Sequence, residues 1–421
     1  MQAGSTLHVT GSDIVAAQDV TGVAANVVID GSQTNRHHDE THESRTTGFS
    51  ITASAPVIDA AQNTLRQASS GARSQDDRAS ALHVMAAASG AYDAAGAANG
   101  AAQDLAAGKM PDAKLELSWG SSSSKSTFTQ DSSNTTGSTV KAGGTAAFVA
   151  TGGNVDIAGS DVNASNVILS AANQVNLTNS TDTDSTRSTN ESKSTGVGVS
   201  VGTGGIGVDA SMSKAHGNAN SDSTASNNTH INAANNATII SGGDTNLIGA
   251  NVNGKSVSMD VGGNLNIAPT QDTSTSAAKQ DSTGGGIAIS AGGASGSFNH
   301  SSGRANGNYA GVTEQTVIHA GTDGFDITVK GGTDLKGGLI ASDATPDKNT
   351  LTTGTLTFSD IQNSSSYDAK SSGFGGGAST GNGGNTYATH GNTSGSNTGG
   401  IAPMLTRRLK SKINCGSWAR R

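Results

Sequence analysis

The chain has 421 residues, of which 33% are apolar, 3% aromatic and 14% charged, against about a quarter charged in an average soluble domain, so a conventional enzyme core is not expected. Its net charge of −8 is too small for this length to enforce disorder, and it excludes global electrostatic attraction to nucleic acid or to an anionic membrane. Ser, Thr and Asn together fill 139 positions and Gly 58, while the single cysteine, Cys415, forbids an internal disulfide or a Cys-based zinc site.

From the N-terminus, residues 1–10 carry neither the basic nor the apolar region of a secretory signal, and no apolar run reaches the roughly 20 residues of a transmembrane helix. Four segments then align with one another. The first comprises residues 4–14, 27–29 and 47–51; the second 153–162, 175–177 and 195–199; the third 243–252, 265–267 and 283–287; the fourth 332–335, 356–358 and 372–374. Gly48, Gly196, Gly284 and Gly373 occupy equivalent places, which gives a period of about 88 to 89 residues with one extra block of about 60 in the first repeat. That block is Ala-rich, with Ile58, Ala61, Leu65 and Ala68, then Leu82 and Met85, at helical spacing. Two helices with a break are expected there, because Gly71, Gly90, Gly96 and Gly100 each weaken a continuous one.

Elsewhere the apolar period is two. Val155 and Ile157, then Val257, Met259 and Val261, then Leu265 and Ile267 alternate with polar residues, and Gly-Gly or Gly-Asn pairs punctuate short runs of three to six residues. Short strands, corner glycines and small inward side chains at a fixed period predict an all-β parallel β-solenoid rather than a sandwich. Stacked Asn and Thr are expected to pass hydrogen bonds from turn to turn. The Ser/Thr-rich tracts at 181–195, 272–283 and 363–372 recur at one place in each repeat and are expected to form polar hairpins or loops that extend the sheet. The predicted division is a solenoid repeat over 1–56, the helical insert over 57–113, further repeats over 114–211, 212–299 and 300–400, and a tail over 401–421. Six cations and no acid make that tail basic, and it reads as a truncated or frameshifted end.

The unit Gly153-Asn154-Val155-Asp156-Ile157, Gly159-Ser160-Asp161-Val162, Val175-Asn176-Leu177, a Ser/Thr-rich stretch and Thr195-Gly196-Val197-Gly198-Val199 resembles the haemagglutinin repeat of filamentous haemagglutinin and contact-dependent growth inhibition exoproteins. It recurs over 243–290, and the resemblance extends to about residue 400. What it implies is a right-handed parallel β-helix in a fibre on a Gram-negative cell, exported through an outer-membrane secretion partner. It further implies a role in passing a toxin to a neighbouring bacterium across the target cell's surface or outer membrane; the alternative is an adhesin shaft that contacts host cells or a biofilm. The family's N-terminal secretion domain, its pretoxin motif and its toxin domain have no counterpart in these residues.

Several motifs suggest chemistry, and each has a plainer reading. Gly249-Ala250-Asn251-Val252-Asn253-Gly254-Lys255-Ser256 satisfies the phosphate-loop pattern, but such a loop must open a helix. Residues 256–261 alternate as a strand, so a solenoid corner is expected and no nucleotide. Gly204-Gly205-Ile206-Gly207-Val208-Asp209 begins like a calcium nonapeptide but lacks a tandem copy and has Ser211 where a large apolar residue belongs. His37, His38, Asp39, Glu40, His42 and Glu43 have ligand chemistry, yet a solvated loop is expected rather than a metal site. A sugar-cleaving groove, as in some parallel β-helices, would need aromatic platforms and paired carboxylates. Two Trp (Trp119 and Trp418), four Tyr and seven Phe are spread too thinly for that. No catalytic, cofactor-binding or metal-binding residue is assigned, and no nucleic-acid partner is expected.

Overall fold

A computed structural model describes residues 1–54, 114–202, 205–291, 293–380, 400–403 and 407–413. The expected helical insert at 57–113 and most of the basic tail lie outside the described residues.

The rod begins with β1 (Thr6–Thr10), β2 (Asp13–Ala16), β3 (Val20–Ala24) and β4 (Asn26–Asp30). It continues after an excursion with β7 (Thr139–Ala150), β8 (Val155–Ala158), β9 (Asp161–Ala171) and β10 (Val175–Thr178). After a second excursion come β13 (Thr229–Ser241), β14 (Thr245–Ile248), β15 (Ala250–Val261) and β16 (Leu265–Ala268). A third excursion leads to β19 (Val317–Lys336), β20 (Leu339–Ser342) and β21 (Asn349–Ser359). All of these pair in parallel, turn upon turn, so the chain is a β-helix.

Its core follows from the alternation. Ile29, Ile157, Leu177, Leu247 and Ile267 stand in register and are fully buried or within 1% of it. A second column runs through Phe148, Leu169, Ile239, Met259 and Ile327. Burying one such Leu or Ile contributes about 1.5–3 kcal/mol, and each turn caps the apolar face of the last.

The outward positions carry ladders. Asn176 donates to Asp156 (2.6 Å), Asn246 to Asn176 (2.7 Å) and Asn266 to Asn246 (2.7 Å). A parallel ladder links Asn253, Asn232 and Asn163. The expected stacking is present, and two of its columns lie on strands as well as at corners.

Between the rod turns run the excursions, and here strand length departs from the expectation of three to six residues. They are β5 (Ser32–Ser54) with β6 (Lys114–Thr136), β11 (Ser180–Gly202) with β12 (Gly205–Asn227), and β17 (Asp272–Ser290) with β18 (Gly293–Gly311); β22 (Ser364–Thr380) opens a fourth. The first four of these strands have 23 residues each. The Ser/Thr-rich tracts are thus ordered antiparallel hairpins joined edge to edge in a second sheet, in the order β5-β6-β11-β12-β17-β18-β22. Their length was hidden because both faces near the rod meet water and need no apolar period. Beyond β22, β23 (Gly400–Pro403) and β24 (Arg407–Ile413) pair with it.

Two rod turns separate successive hairpins, which accounts for the period of about 88. The turns that carry no hairpin close at a glycine with positive φ: Gly11 (+53°), Gly159 (+53°), Gly249 (+64°) and Gly337 (+67°).

Candidate functional site

The surface that distinguishes this β-helix is the lateral hairpin sheet. At about 3.4 Å per residue a 23-residue strand projects about 75 Å, with its base at the rod and its outer end at the Gly202–Gly205 pair.

The base is built from hydroxyls and carboxylates. Ser138, Thr229 and Thr316, each near the point where the chain re-enters the rod, are buried. Ser138 donates to the Asp30 carbonyl (2.6 Å), Thr229 to that of Thr178 (2.6 Å) and Thr316 to that of Ala268 (3.0 Å). Each thereby adds a second hydrogen bond to the last carbonyl of the strand that the hairpin leaves, which already accepts the N–H of Gly11, Gly159 or Gly249. Adjacent hairpins are stitched by a second recurring contact. Asp182 accepts the Thr135 N–H (2.7 Å), Asp272 that of Ser226 (2.7 Å) and Asn363 that of Val312 (3.0 Å). The sequence reading missed both sets, although their recurrence about 90 residues apart was a usable signal.

Charged residues cluster in the middle of the sheet. Arg187 makes a two-pronged contact with Asp222 (2.7 and 3.0 Å), and Ser185 and Arg187 hold that carboxyl below its ordinary range. The His37–Glu43 cluster lies on β5, a strand at the end of the sheet order and not the expected loop. Alternation divides it: His37 and Asp39 share one face, His38, Glu40 and His42 the other. His37 bridges Asp131 (2.6 Å) and Asp39 (2.7 Å), which raises its pKa, while His42 pairs with Glu40. With both His37 nitrogens occupied, no group of three such side chains among the described residues is arranged to hold a metal.

The other motifs fall on plain architecture. Gly249 is a corner glycine, residues 250–261 are strand, and Lys255 pairs with Asp323 at 2.9 Å. The helix that a phosphate loop requires is replaced by a strand. Gly205 to Asp209 run into β12 as extended chain, and Gly204 and Trp418 lie outside the described residues.

Toward the tip the sheet changes character. Leu117, Val199, Val208 and Ile289 are directly opposed across four strands. One row nearer the rod stand Phe49, Trp119, Val197 and Ile287, then Met212 and Phe298. Opposed residues, and those two apart, share a face, so these side chains form one apolar face; Phe49 is 78% exposed, Met212 67% and Trp119 49%. The reverse face carries the row Gly48, Gly120, Gly196, Ser211, Gly286, Ser297 and Gly377. Gly196 pairs with Gly120 and Ser211, and the residues in its row on β17 and β22 are Gly286 and Gly377, not the aligned Gly284 and Gly373. Successive hairpins are staggered by an even number of residues, which leaves each side chain on its face.

Residues 117–285 match the Hemagglutinin repeat family. The chain is 51% identical over 417 residues to a protein named tRNA nuclease CdiA from Burkholderia pseudomallei, covering 96% of this chain and 31% of that protein. It is equally identical to tRNA nuclease CdiA-2 of Burkholderia pseudomallei strain 1026b, covering 13% of that protein. With the 16S rRNA endonuclease CdiA of Enterobacter cloacae it shares 38% identity over 386 residues, 89% of this chain and 12% of that protein. The chain thus spans between about an eighth and a third of the length of these relatives. No solved structure matches it.

Proposed function

Because the chain belongs to the haemagglutinin-repeat exoproteins of contact-dependent growth inhibition, we propose that it is a non-catalytic repeat segment of a large secreted exoprotein that delivers a toxin to neighbouring bacteria. The observation that carries this reading is the sharing of one segment by proteins named for different cleavages. A tRNA nuclease and a 16S rRNA endonuclease both contain it, at 51% and 38% identity, which fits a part that serves delivery and not cutting. The architecture supports the same view, since its ordered polar contacts hold turns and hairpins together. The partners are then an outer-membrane secretion protein on the producing Gram-negative cell and the surface or outer membrane of the target.

The test is made in a full-length exoprotein carrying this segment. The hairpin over 180–227 is replaced by a short turn that leaves the rod register intact, and three quantities are followed: surface display, attachment to target cells, and growth inhibition in co-culture. Delivery predicts that display and attachment persist while inhibition falls. Undiminished inhibition overturns the reading. Loss of attachment in step with inhibition replaces it with the adhesin-shaft alternative.

A further inference from the structure

The apolar face toward the outer end of the lateral sheet is a band that crosses strands. Its two full rows, one through Leu117 and Val199 and one through Trp119 and Val197, run over β6, β11, β12 and β17. On the outer side Val201 opposes Ile206. On the rod side the band gives way to Thr47, Ser121 and Thr195, and only Met212 and Phe298 continue it toward β18. Twelve large side chains make up the band, each about half exposed or more. At roughly 100 Å² for each half-exposed side chain the band presents roughly 1,000 Å², more than the largest apolar patch on a typical monomer.

Area, sidedness and charge choose the occupant. Covering half of the band on each of two copies reaches the total of about 1,000 Å² that a specific interface needs. The band lies on one face only. At the same level the reverse face carries Ser118, Gly198, Asp209 and Ala288, so a bilayer that took in the hairpin ends would take in that carboxylate, whereas a flat partner covers the band alone. Nearer the rod on the apolar face stand Arg45, Lys193 and Lys214, then Glu43, Glu191 and Asp281. A partner sheet laid over the whole face would strip these charges of water, so the overlap is confined to the outer rows. A second copy meets all three conditions. Its band has the same strand spacing, and when turned about an axis parallel to the rod it overlaps outer end on outer end.

We propose that two copies of this chain pack face to face through this band, related by a two-fold axis parallel to their rods. This goes beyond the delivery role and does not depend on it. With the axis between the two full rows, each strand lies over its own counterpart. Val199 meets the second copy's Val197, Leu117 its Trp119 and Ile289 its Ile287, in sheets about 10 Å apart. Lys193 and Lys214 fall beyond the second copy's Gly202–Gly205 pair and stay in water. The rods run in the same direction, one on each side of a shared double layer.

Trp418→Phe leaves Trp119 as the only tryptophan, a reporter within the band. In that background the full chain is followed by sedimentation equilibrium and by Trp119 emission across a concentration series. The expected result is a dimer whose formation shifts the emission to the blue and protects it from iodide. Val199→Asp with Ile287→Asp, both at exposed positions, weakens dimerisation by about tenfold or more through buried charge. Val208→Asp replaces that pair should circular dichroism show a loss of β-structure. Ser295→Asp, on the reverse face, leaves dimerisation unchanged. In a Cys415→Ser background, which removes the only native cysteine, Val199→Cys lies about 12 Å from its counterpart and is joined across the dimer by a short bismaleimide. Glu191→Cys, far from the axis, is not joined. A chain monomeric at every concentration, a dimer indifferent to the aspartates, or cross-linking through Glu191→Cys overturns the proposal. So does Trp119 protected in the monomer, which assigns the band to the chain's own residues 55–113. Protection that appears only with phospholipid vesicles assigns the band to a bilayer and likewise overturns it.

Discussion

Leu177 is wholly buried, in register between Ile157 and Leu247. Its replacement by Ala is expected to cost about 2–5 kcal/mol, read as a fall in the midpoint of urea unfolding. Asn246 stands between Asn176 and Asn266 in the outer ladder; Asn246→Ala leaves one donor and one acceptor without their ladder partners, at about 1 kcal/mol by the same measurement. His230 lies between Asp161 and Glu314, both at 2.9 Å. Burial works against its charge, but the hydrogen bonds to Glu314 and Asp161 outweigh it and raise its pKa above 6.5. A raised histidine pKa gives stability that is complete below the unfolded value and is lost as pH rises through the folded value. Thermal melts are therefore expected to show a rod more stable near pH 6 than near pH 8, and His230→Gln to reduce that difference. At this scale the inward residues were legible in the sequence, because a period of two is written in neighbouring letters. The ladder and ion partners were not: His230 meets residues 69 and 84 positions away, and only the pitch of the coil says which.

Corner and hairpin glycines test the elements. A Cβ on Gly159, whose φ is +53°, would lie 2.2 Å from the Ser180 Oγ, whereas one on Gly48 meets nothing within 4 Å. Gly159→Val is expected to cost about 1–3 kcal/mol or more through strain, and Gly48→Ala to stay within about 0.5 kcal/mol, both measured by chemical denaturation. Asp272→Ala removes the carboxylate that takes the Ser226 N–H at the hairpin base. Faster hydrogen exchange at the base of β12 and β17 is expected, with the rod amides unchanged. The corners were readable from Gly-Gly and Gly-Ser pairs. The long strands were not, since Ser, Thr and Asn on both faces look the same in a linker and in a solvated sheet. What makes them strands is the lateral partner, and composition holds no record of it.

For the whole molecule, the repeat implies that stability is shared between nearest neighbours. Gly159 and Gly249 are equivalent corners in adjacent repeats, so excision of residues 160–249 joins one to the successor of the other and removes two turns and one hairpin. The shortened chain is expected to fold, to keep its β-type circular dichroism and to melt at a somewhat lower temperature; a random-coil spectrum would refute the equivalence. The alternation of two turns with one hairpin has a further consequence. Each rod turn advances by one strand spacing of about 4.8 Å, and each hairpin adds two strands at that same spacing. Two turns and one hairpin are therefore commensurate, and the rod and its lateral sheet lengthen in step without accumulating shear. A hairpin on every turn would outgrow the axis and one on every third would leave a gap. Rod turns are thus gained or lost without misfit only as whole units, and an odd number of turns is a dislocation that the lateral sheet would register along its full projection.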